Sequence, residues 1–337
     1  MNYSKCPNLS GTDQSNILII NFICRQCINN RMEGDKLPYI SVIIIAYDRT
    51  EFLMNAIKSV LNQTLDKKYY EIIVIKNFQD GMIDNYILKN NIKGIISKDR
   101  SLSGKLIESL NIARGDILSF LEDDDLFSSN KLEIVYDKFM ENSNLCYYHN
   151  GNIIVNDKYE LVNKKGLKSV VSNLSSISIK KDIVNFTNLK KIGLAPDQFM
   201  YLSALESGQN IIAGKERLTH YMFHNSASNV TINNIIDFVK YKNLTCERDI
   251  KIFMTFRKVF ISKKANNYIK QKITNLEIAN YIFGSNIKPE NVLNIFRKCD
   301  MSFFNGLEIF MAYFLVRLNN NFRNILIKKR FDYQKRT

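Results

Sequence analysis

Ile40-Ser41-Val42-Ile43-Ile44-Ile45-Ala46 is too short for a helix and too apolar for a strand with one wet face. Its β-branched content reads as a strand buried on both sides, the kind found inside parallel sheets. Parallel neighbours need crossovers, and the chain supplies them. Thr50 offers a helix N-cap, and Leu53, Ala56, Ile57, Val60 and Leu61 follow at helical spacing. Glu71-Ile72-Ile73-Val74-Ile75 repeats the buried-strand pattern, a helical stretch lies around Ile83–Lys89, and Gly94–Ser97 is a third short strand. Leu106, Leu110 and Ala113 mark another helix with Gly115 as its stop signal, and Asp116-Ile117-Leu118-Ser119-Phe120-Leu121 is a fourth strand. This alternation predicts an α/β fold with a mainly parallel central sheet, flanking helices and right-handed crossovers. Ligands of such sheets bind beyond the carboxyl ends of the strands.

Glu122-Asp123-Asp124-Asp125 stands at that end of the fourth strand. Four consecutive carboxylates repel one another and call for compensation. Mg²⁺ or Mn²⁺ provides it, because both prefer oxygen ligands and can bridge to a diphosphate. The plainer reading is a solvated acidic loop ahead of a helix that begins near Asn130; the position at the end of a buried strand favours the site.

These segments resemble family two glycosyltransferases, which have the A-type glycosyltransferase fold. Ile40-Ser41-Val42-Ile43-Ile44 with Ala46-Tyr47-Asp48-Arg49 is similar to the family's opening strand and turn. Ala56-Ile57-Lys58-Ser59-Val60-Leu61-Asn62-Gln63-Thr64 resembles its first helix, and Glu71–Ile75 its second strand. Ala113-Arg114-Gly115-Asp116 and Phe120-Leu121-Glu122-Asp123-Asp124-Asp125 resemble the approach to its metal motif. The likeness covers roughly residues 39–230, and its strength lies in shared order and spacing. It implies an inverting enzyme that moves a sugar from a nucleotide-activated donor to a hydroxyl of a glycan or polyprenyl-linked acceptor. It implies a domain over 38–232, preceded by a lead-in over 1–37 and followed by a basic, mainly helical extension over 233–337.

The resemblance also implies residue roles. Ala46, Tyr47, Asp48 and Arg49 would line the donor, with Asp123 near its ribose or sugar. Asp124 would hold a divalent cation, Mn²⁺ or Mg²⁺, with Asp125 and His224 as further ligands. Tyr221-Met222-Phe223-His224-Asn225-Ser226-Ala227-Ser228 is similar to a late family segment in which a His approaches the metal, although a lone His is as often structural and His220 is a weaker candidate. Ala195-Pro196-Asp197-Gln198-Phe199 looks like the element that carries the general base. Asp197 would deprotonate the acceptor; Pro196 and Asp197 read equally as a helix start.

One departure stands out. Where the family commonly has Asp-Asp-Gly-Ser after its second strand, this chain has Lys76-Asn77-Phe78-Gln79. Lys76 cannot accept a hydrogen bond from a base imide, whereas the Asn77 amide oxygen can. Lys76 is then either a phosphate contact or a solvated side chain, and Lys105 is a second phosphate candidate.

The net charge of +14 is concentrated at the end of the chain, where residues 251–337 hold 17 Lys and Arg against 5 Asp and Glu. Leu307 to Arg330 reads as a basic amphipathic segment suited to an anionic membrane, or as a helix packed on the domain with its basic side solvated. Nucleic acid is a less suitable partner, since no helix-turn-helix, zinc-finger or aromatic RNA-binding signature accompanies the charge. A glycosyltransferase fold serving only as a scaffold is the remaining alternative; the acidic cluster and Asp197 argue against it. Six scattered cysteines fit a reducing compartment, hence the cytoplasm. Cys24 and Cys27 have ligand spacing without a second pair. Neither Ile17–Ile23 nor Phe303–Val316 reads as a membrane span. Asn152–Val155 and Tyr159–Val162, flanking an Asn-Asp turn, predict a hairpin.

Overall fold

The structure, a computed structural model, describes residues 39–162, 173–223, 234–284, 313–317 and 319–336. Strand β1 (Ile40–Ile45) is buried along its whole length. It lies parallel to β2 (Tyr70–Lys76) on one side and to β4 (Ile117–Glu122) on the other, and β2 is parallel to β3 (Lys93–Ile96). Helices α1 (Thr50–Leu61), α2 (Gly81–Lys89) and α3 (Leu102–Ile112) lie between successive strands of this parallel half.

The second half is mixed. β5 (Leu126–Phe127), β6 (Leu145–Val155), β7 (Ile177–Lys180) and β8 (Asn210–Met222) extend the sheet in the order β3-β2-β1-β4-β7-β6-β8-β5. β7 is antiparallel to both β4 and β6, whereas β6 and β8 run parallel. Helices α4 (Lys131–Glu141), α5 (Phe186–Ile192) and α6 (Pro196–Ser207) belong to this half, and α7 (Ile235–Phe256), α8 (Lys263–Ile282) and α9 (Asn320–Arg336) follow it. This is the α/β architecture that the residue pattern predicts, with the helical extension present.

Alternation along β1 explains how one strand serves two cores. Ile40, Val42 and Ile44 pack with Leu53, Ala56, Ile57 and Val60 of α1. Ile43 and Ile45 face the other way, into a core shared by Leu106 and Leu110 of α3 and Phe199 and Met200 of α6. That second core also takes Ile252, Phe253 and Phe256 from α7 and Ala265, Ile269 and Ile273 from α8. The Phe199 ring lies 5.3 Å from Phe260, and Phe256 lies 6.0 Å from Phe260.

Several local expectations need correction. Thr50 is the first residue of α1 and Arg49 its N-cap, without a side-chain cap bond. Gly115 does not cap α3, whose C-cap is Ala113; a Cβ at Gly115 would stand 2.4 Å from Ser41 N and 2.6 Å from Tyr39 O. Glycine is required there because the β4 approach presses on the β1 backbone. The expected hairpin at 152–162 is short: it closes on one antiparallel bridge, Val155 to Leu161, with Asn156 N donating to Glu160 O at 3.0 Å and Val162 N to Ile154 O at 2.9 Å, while β8 lies along the other edge of β6. On α9 the apolar side chains do not gather along one face: Phe322 and Ile325 are exposed while Ile327 is buried. Phe331 packs 5.6 Å from Phe238 of α7. Residues 307–312 and 318 of the predicted amphipathic segment lie outside the described residues, as do Cys24, Cys27 and Ile17–Ile23. No helix among the described residues is long and apolar enough to cross a membrane. Cys146 and Cys246 are free and buried.

Candidate active site

The carboxyl ends of β1, β2 and β4 meet because their registers are aligned: Ile45 pairs with Ile75 on one side and Glu122 on the other. The chain leaves β1 through Ala46, Tyr47, Asp48 and Arg49, and Asp48 has a left-handed φ of 50°. That turn is fastened from three directions. Tyr47 N donates to Asp123 Oδ2 at 3.0 Å, Asp48 N donates to Asn77 Oδ1 at 3.3 Å, and Asn77 Nδ2 donates to Asp48 Oδ1 at 2.6 Å. Lys105, buried on α3, donates to Ala46 O at 3.1 Å and Asn77 Oδ1 at 3.0 Å, with its ammonium 4.1 Å from the Tyr47 ring centre. Burial lowers the Lys105 pKa, against the pull of Asp48, Asp123 and Asp99.

Two expected contacts are therefore already engaged inside the protein. The Asn77 oxygen, expected to receive a base imide, accepts from two protein donors in this conformation, which uses both of its lone pairs. Lys105, expected at a phosphate, is a buried strut between two strand ends. Lys76 is not solvated: it is buried, paired with Asp84 Oδ1 at 2.8 Å and bonded to Phe78 O.

Arg49 spans the acidic loop. Its Nη1 donates to Asp124 Oδ2 at 2.8 Å and its Nη2 to Asp123 Oδ1. The arginine side chain is 38% exposed, against 14% for Asp124 and 2% for Asp123. Asp123 is raised above the ordinary carboxylate pKa by burial, opposed by the Tyr47 amide and Arg49. Asp125 behaves differently. It is 1% exposed, and its oxygens accept from Met222 N and Asn173 Nδ2, both at 2.9 Å. Burial and Asp124 push its pKa up to about 7. The expectation of Asp125 as a metal ligand thus meets a carboxylate built into the site wall, tying β8 to the acidic loop. Beneath it, buried Lys131 bonds to Ser175 O and Thr219 Oγ1, and its pKa is lowered by that burial.

Asp197 stands in the first turn of α6, but Ala195, with a left-handed φ of 46°, is the N-cap. The carboxylate is thus not a capping group; its charge is still favoured at a helix start. Its Oδ2 accepts from Gln198 Nε2 at 3.1 Å. The field of Asp197 reaches the acidic loop. Glu122 is pushed up to about 8 by burial and then by Asp125, Asp124, Asp123 and Asp197 in turn. Tyr147, Tyr268 and Lys272 feel Asp197 as well. The sequence reading did not assign these three, nor Gln198, to the site. The predicted base acts through its charge on Glu122 at the head of the acidic loop, while His224 lies outside the described residues and His220 sits on β8 opposite Leu126.

Among the described residues the groups at this mouth that could hold a cation are carboxylates, which fits a hard divalent cation. Among the described residues no three such groups converge to hold an ion by themselves.

The sequence model described as Glycosyl transferase family 2 matches residues 41–205. An uncharacterized glycosyltransferase of Rickettsia conorii is 34% identical over 157 residues, 43% of this chain and 23% of that protein. The poly(ribitol-phosphate) beta-N-acetylglucosaminyltransferase TarP of Staphylococcus aureus is 24% identical over 223 residues, 64% of this chain and 62% of that protein. The chain therefore spans under two thirds of these relatives. Among solved structures, S. aureus TarS 1–349 in complex with UDP-GlcNAc superposes with a TM-score of 0.51 at 13% identity, over 82% of this chain and 81% of that one, a likeness of fold. The matched segment, just under half of the chain, contains the parallel strands, the acidic loop and Asp197, and over that length the chain is similar to glycosyl transferase family 2.

Proposed function

We propose that this domain transfers a sugar, with inversion, from a nucleotide-activated donor to a hydroxyl of a glycan or lipid-linked acceptor. The observation that carries the reading is that the charge of Asp197, at the start of α6, reaches Glu122 of the acidic cluster at the end of β4. An inverting displacement needs a base on one side of the sugar and charge neutralisation on the other. The names of TarP and of the TarS complex support a nucleotide-sugar donor, UDP-N-acetylglucosamine among the candidates.

In this reading Asp124 is the chain's metal ligand and Asp123 faces the donor, with Asp125 supporting the loop from behind. A bound Mn²⁺ or Mg²⁺ neutralises the diphosphate and makes it a better leaving group. Arg49 holds the two carboxylates together and carries a planar donor fork suited to phosphate oxygens. Asp197 takes the acceptor proton. A lipid-linked acceptor would make an anionic bilayer surface a natural neighbour of the basic extension.

The test is a melting panel of nucleoside diphosphates and nucleotide sugars, each with and without Mn²⁺. A ligand at a hundred times its Kd stabilises by about 2.7 kcal/mol, a shift of several degrees. One nucleotide should shift the native protein only with metal, and Asp124→Asn should lose that shift. Asp197→Asn should keep the shift and lose transfer. Near-native transfer in both variants would remove the assignment.

A further inference from the structure

Asp197 is not oriented by its own helix alone. An ionised carboxylate only accepts hydrogen bonds, so the end of Gln198 that faces it is the NH₂. Gln198 then presents its carbonyl on the opposite side, where a donor is required. Tyr268 supplies one: its hydroxyl donates to Gln198 Oε1 at 3.0 Å. The chain Tyr268–Gln198–Asp197 thus runs with one polarity from α8 into the site.

Tyr268 is itself held in place. Its ring stands 4.9 Å from Tyr201 and 6.5 Å from Phe253, edge to face in both cases. The Lys272 ammonium, one turn further along α8, lies 5.2 Å from the Tyr268 ring centre. Burial, with Tyr201 and Asp197 adding to it, raises the Tyr268 pKa, so the hydroxyl keeps the proton that it must donate.

We propose that α8, from the C-terminal extension, positions the acceptor base: Tyr268, acting through Gln198, fixes the orientation of the Asp197 carboxylate. The inference rests on the reading of Asp197 as the base. Tyr268 and Gln198 are positioning residues, since neither is placed against substrate. Without the Tyr268 hydroxyl the Gln198 amide is free to turn end for end and to present its oxygen to Asp197. That removes a hydrogen bond to the charged form and favours protonated Asp197.

The experiment follows Asp197 directly. Protein carrying ¹³C at its aspartate carboxyls is titrated by NMR, with Asp197→Asn identifying the signal. Tyr268→Phe and Gln198→Leu are compared with the native protein. The titratable groups on which Asp197 acts, besides Tyr268 itself, are Glu122 from β4, Tyr147 from β6 and Lys272 on α8. Tyr268→Phe leaves them all in place, so a shift reads the lost hydroxyl. The Asp197 carboxyl signal should respond to pH differently in both variants than in the native protein, with the protonated form favoured. Turnover of UDP-N-acetylglucosamine with Mn²⁺ should lose roughly 10- to 100-fold in kcat, with donor KM and melting temperature nearly unchanged. An unmoved titration in Tyr268→Phe, with turnover lost in Asp197→Asn, overturns the positioning role and spares the base. Retained turnover in Asp197→Asn overturns both. A parallel fall in melting temperature and rise in KM, without the titration shift, would mark Tyr268 as packing only.

Discussion

Glu122, Asp123, Asp124, Asp125 and Asp197 act on one another at the mouth, and Arg49 bonds directly to two of them. The field has a consequence for stability as a function of pH. Glu122 rises from its ordinary 4.5 to about 8, and Asp125 from 3.8 to about 7, burial being the largest cause in both. A carboxyl whose folded pKa is raised holds its proton longer in the folded state, so its contribution to stability falls as pH climbs through that window. His149, hydrogen-bonded to Ser176, works in the opposite sense: burial lowers it from 6.5 to about 4, and stability rises between those values. Above pH 6.5 the histidine effect is complete, while buried Lys131, held well below its ordinary pKa, opposes the carboxyls. Glu122 and Asp125 should contribute a loss on the order of 2 kcal/mol between pH 6.5 and 8 in the metal-free protein. Glu122→Gln removes the larger share of that loss and leaves Lys131 in place, so its stability should rise relative to the native protein over this range. Melting in EDTA at the two pH values measures the difference, and parallel profiles would contradict the charge balance drawn here.

At the scale of elements, the parallel half was legible because its signals are local. Four β-branched runs and the helical spacings between them need only a window of about ten residues to be seen. Once β1 and β4 are adjacent, Arg49 and the acidic loop must meet, so this part of the site was legible too. The mixed half was not. β7 is four residues long, and the parallel pairing of β6 with β8 joins strands that are far apart in the sequence. The sequence singles out neither Tyr268 nor Lys272, since nothing local marks a side chain whose partner lies 70 positions away. Gly115 was misread for a related reason. A glycine after a helix suggests a stop, while its actual constraint, the backbone of Tyr39 and Ser41, belongs to another strand. Gly115→Ala should thus destabilise by roughly 1–3 kcal/mol or more, because backbone atoms at 2.4 and 2.6 Å cannot move aside as a side-chain tip can. Denaturant unfolding measures this. A change under about 0.5 kcal/mol would mean that the approach relaxes and that glycine is there for another reason.

For the whole molecule, the question is whether the family domain closes its core without the helices that follow it. The family match ends at residue 205, yet the core on that side of the sheet continues through Ile252, Phe253, Phe256, Phe260, Ala265, Ile269 and Ile273. Glu206, at the end of α6, accepts from Ile261 N at 3.1 Å and Ser262 N at 2.9 Å, which fastens the turn between α7 and α8 to the sheet side. Burying a large apolar side chain contributes about 1.5–3 kcal/mol. Six such side chains together contribute on the order of 10 kcal/mol, which is comparable with the whole stability of an ordinary domain. A chain ending at residue 232 should therefore lack cooperative unfolding, bind hydrophobic dyes and give no nucleotide-dependent melting shift. Phe256→Ala in the full chain should cost about 3–5 kcal/mol and still leave a cooperative transition. If the truncated chain instead melts cooperatively and responds to nucleotide with Mn²⁺, the domain completes its own core and α7 and α8 are a lid over it. The positioning of Asp197 by Tyr268 would then be added to a fold that stands without it.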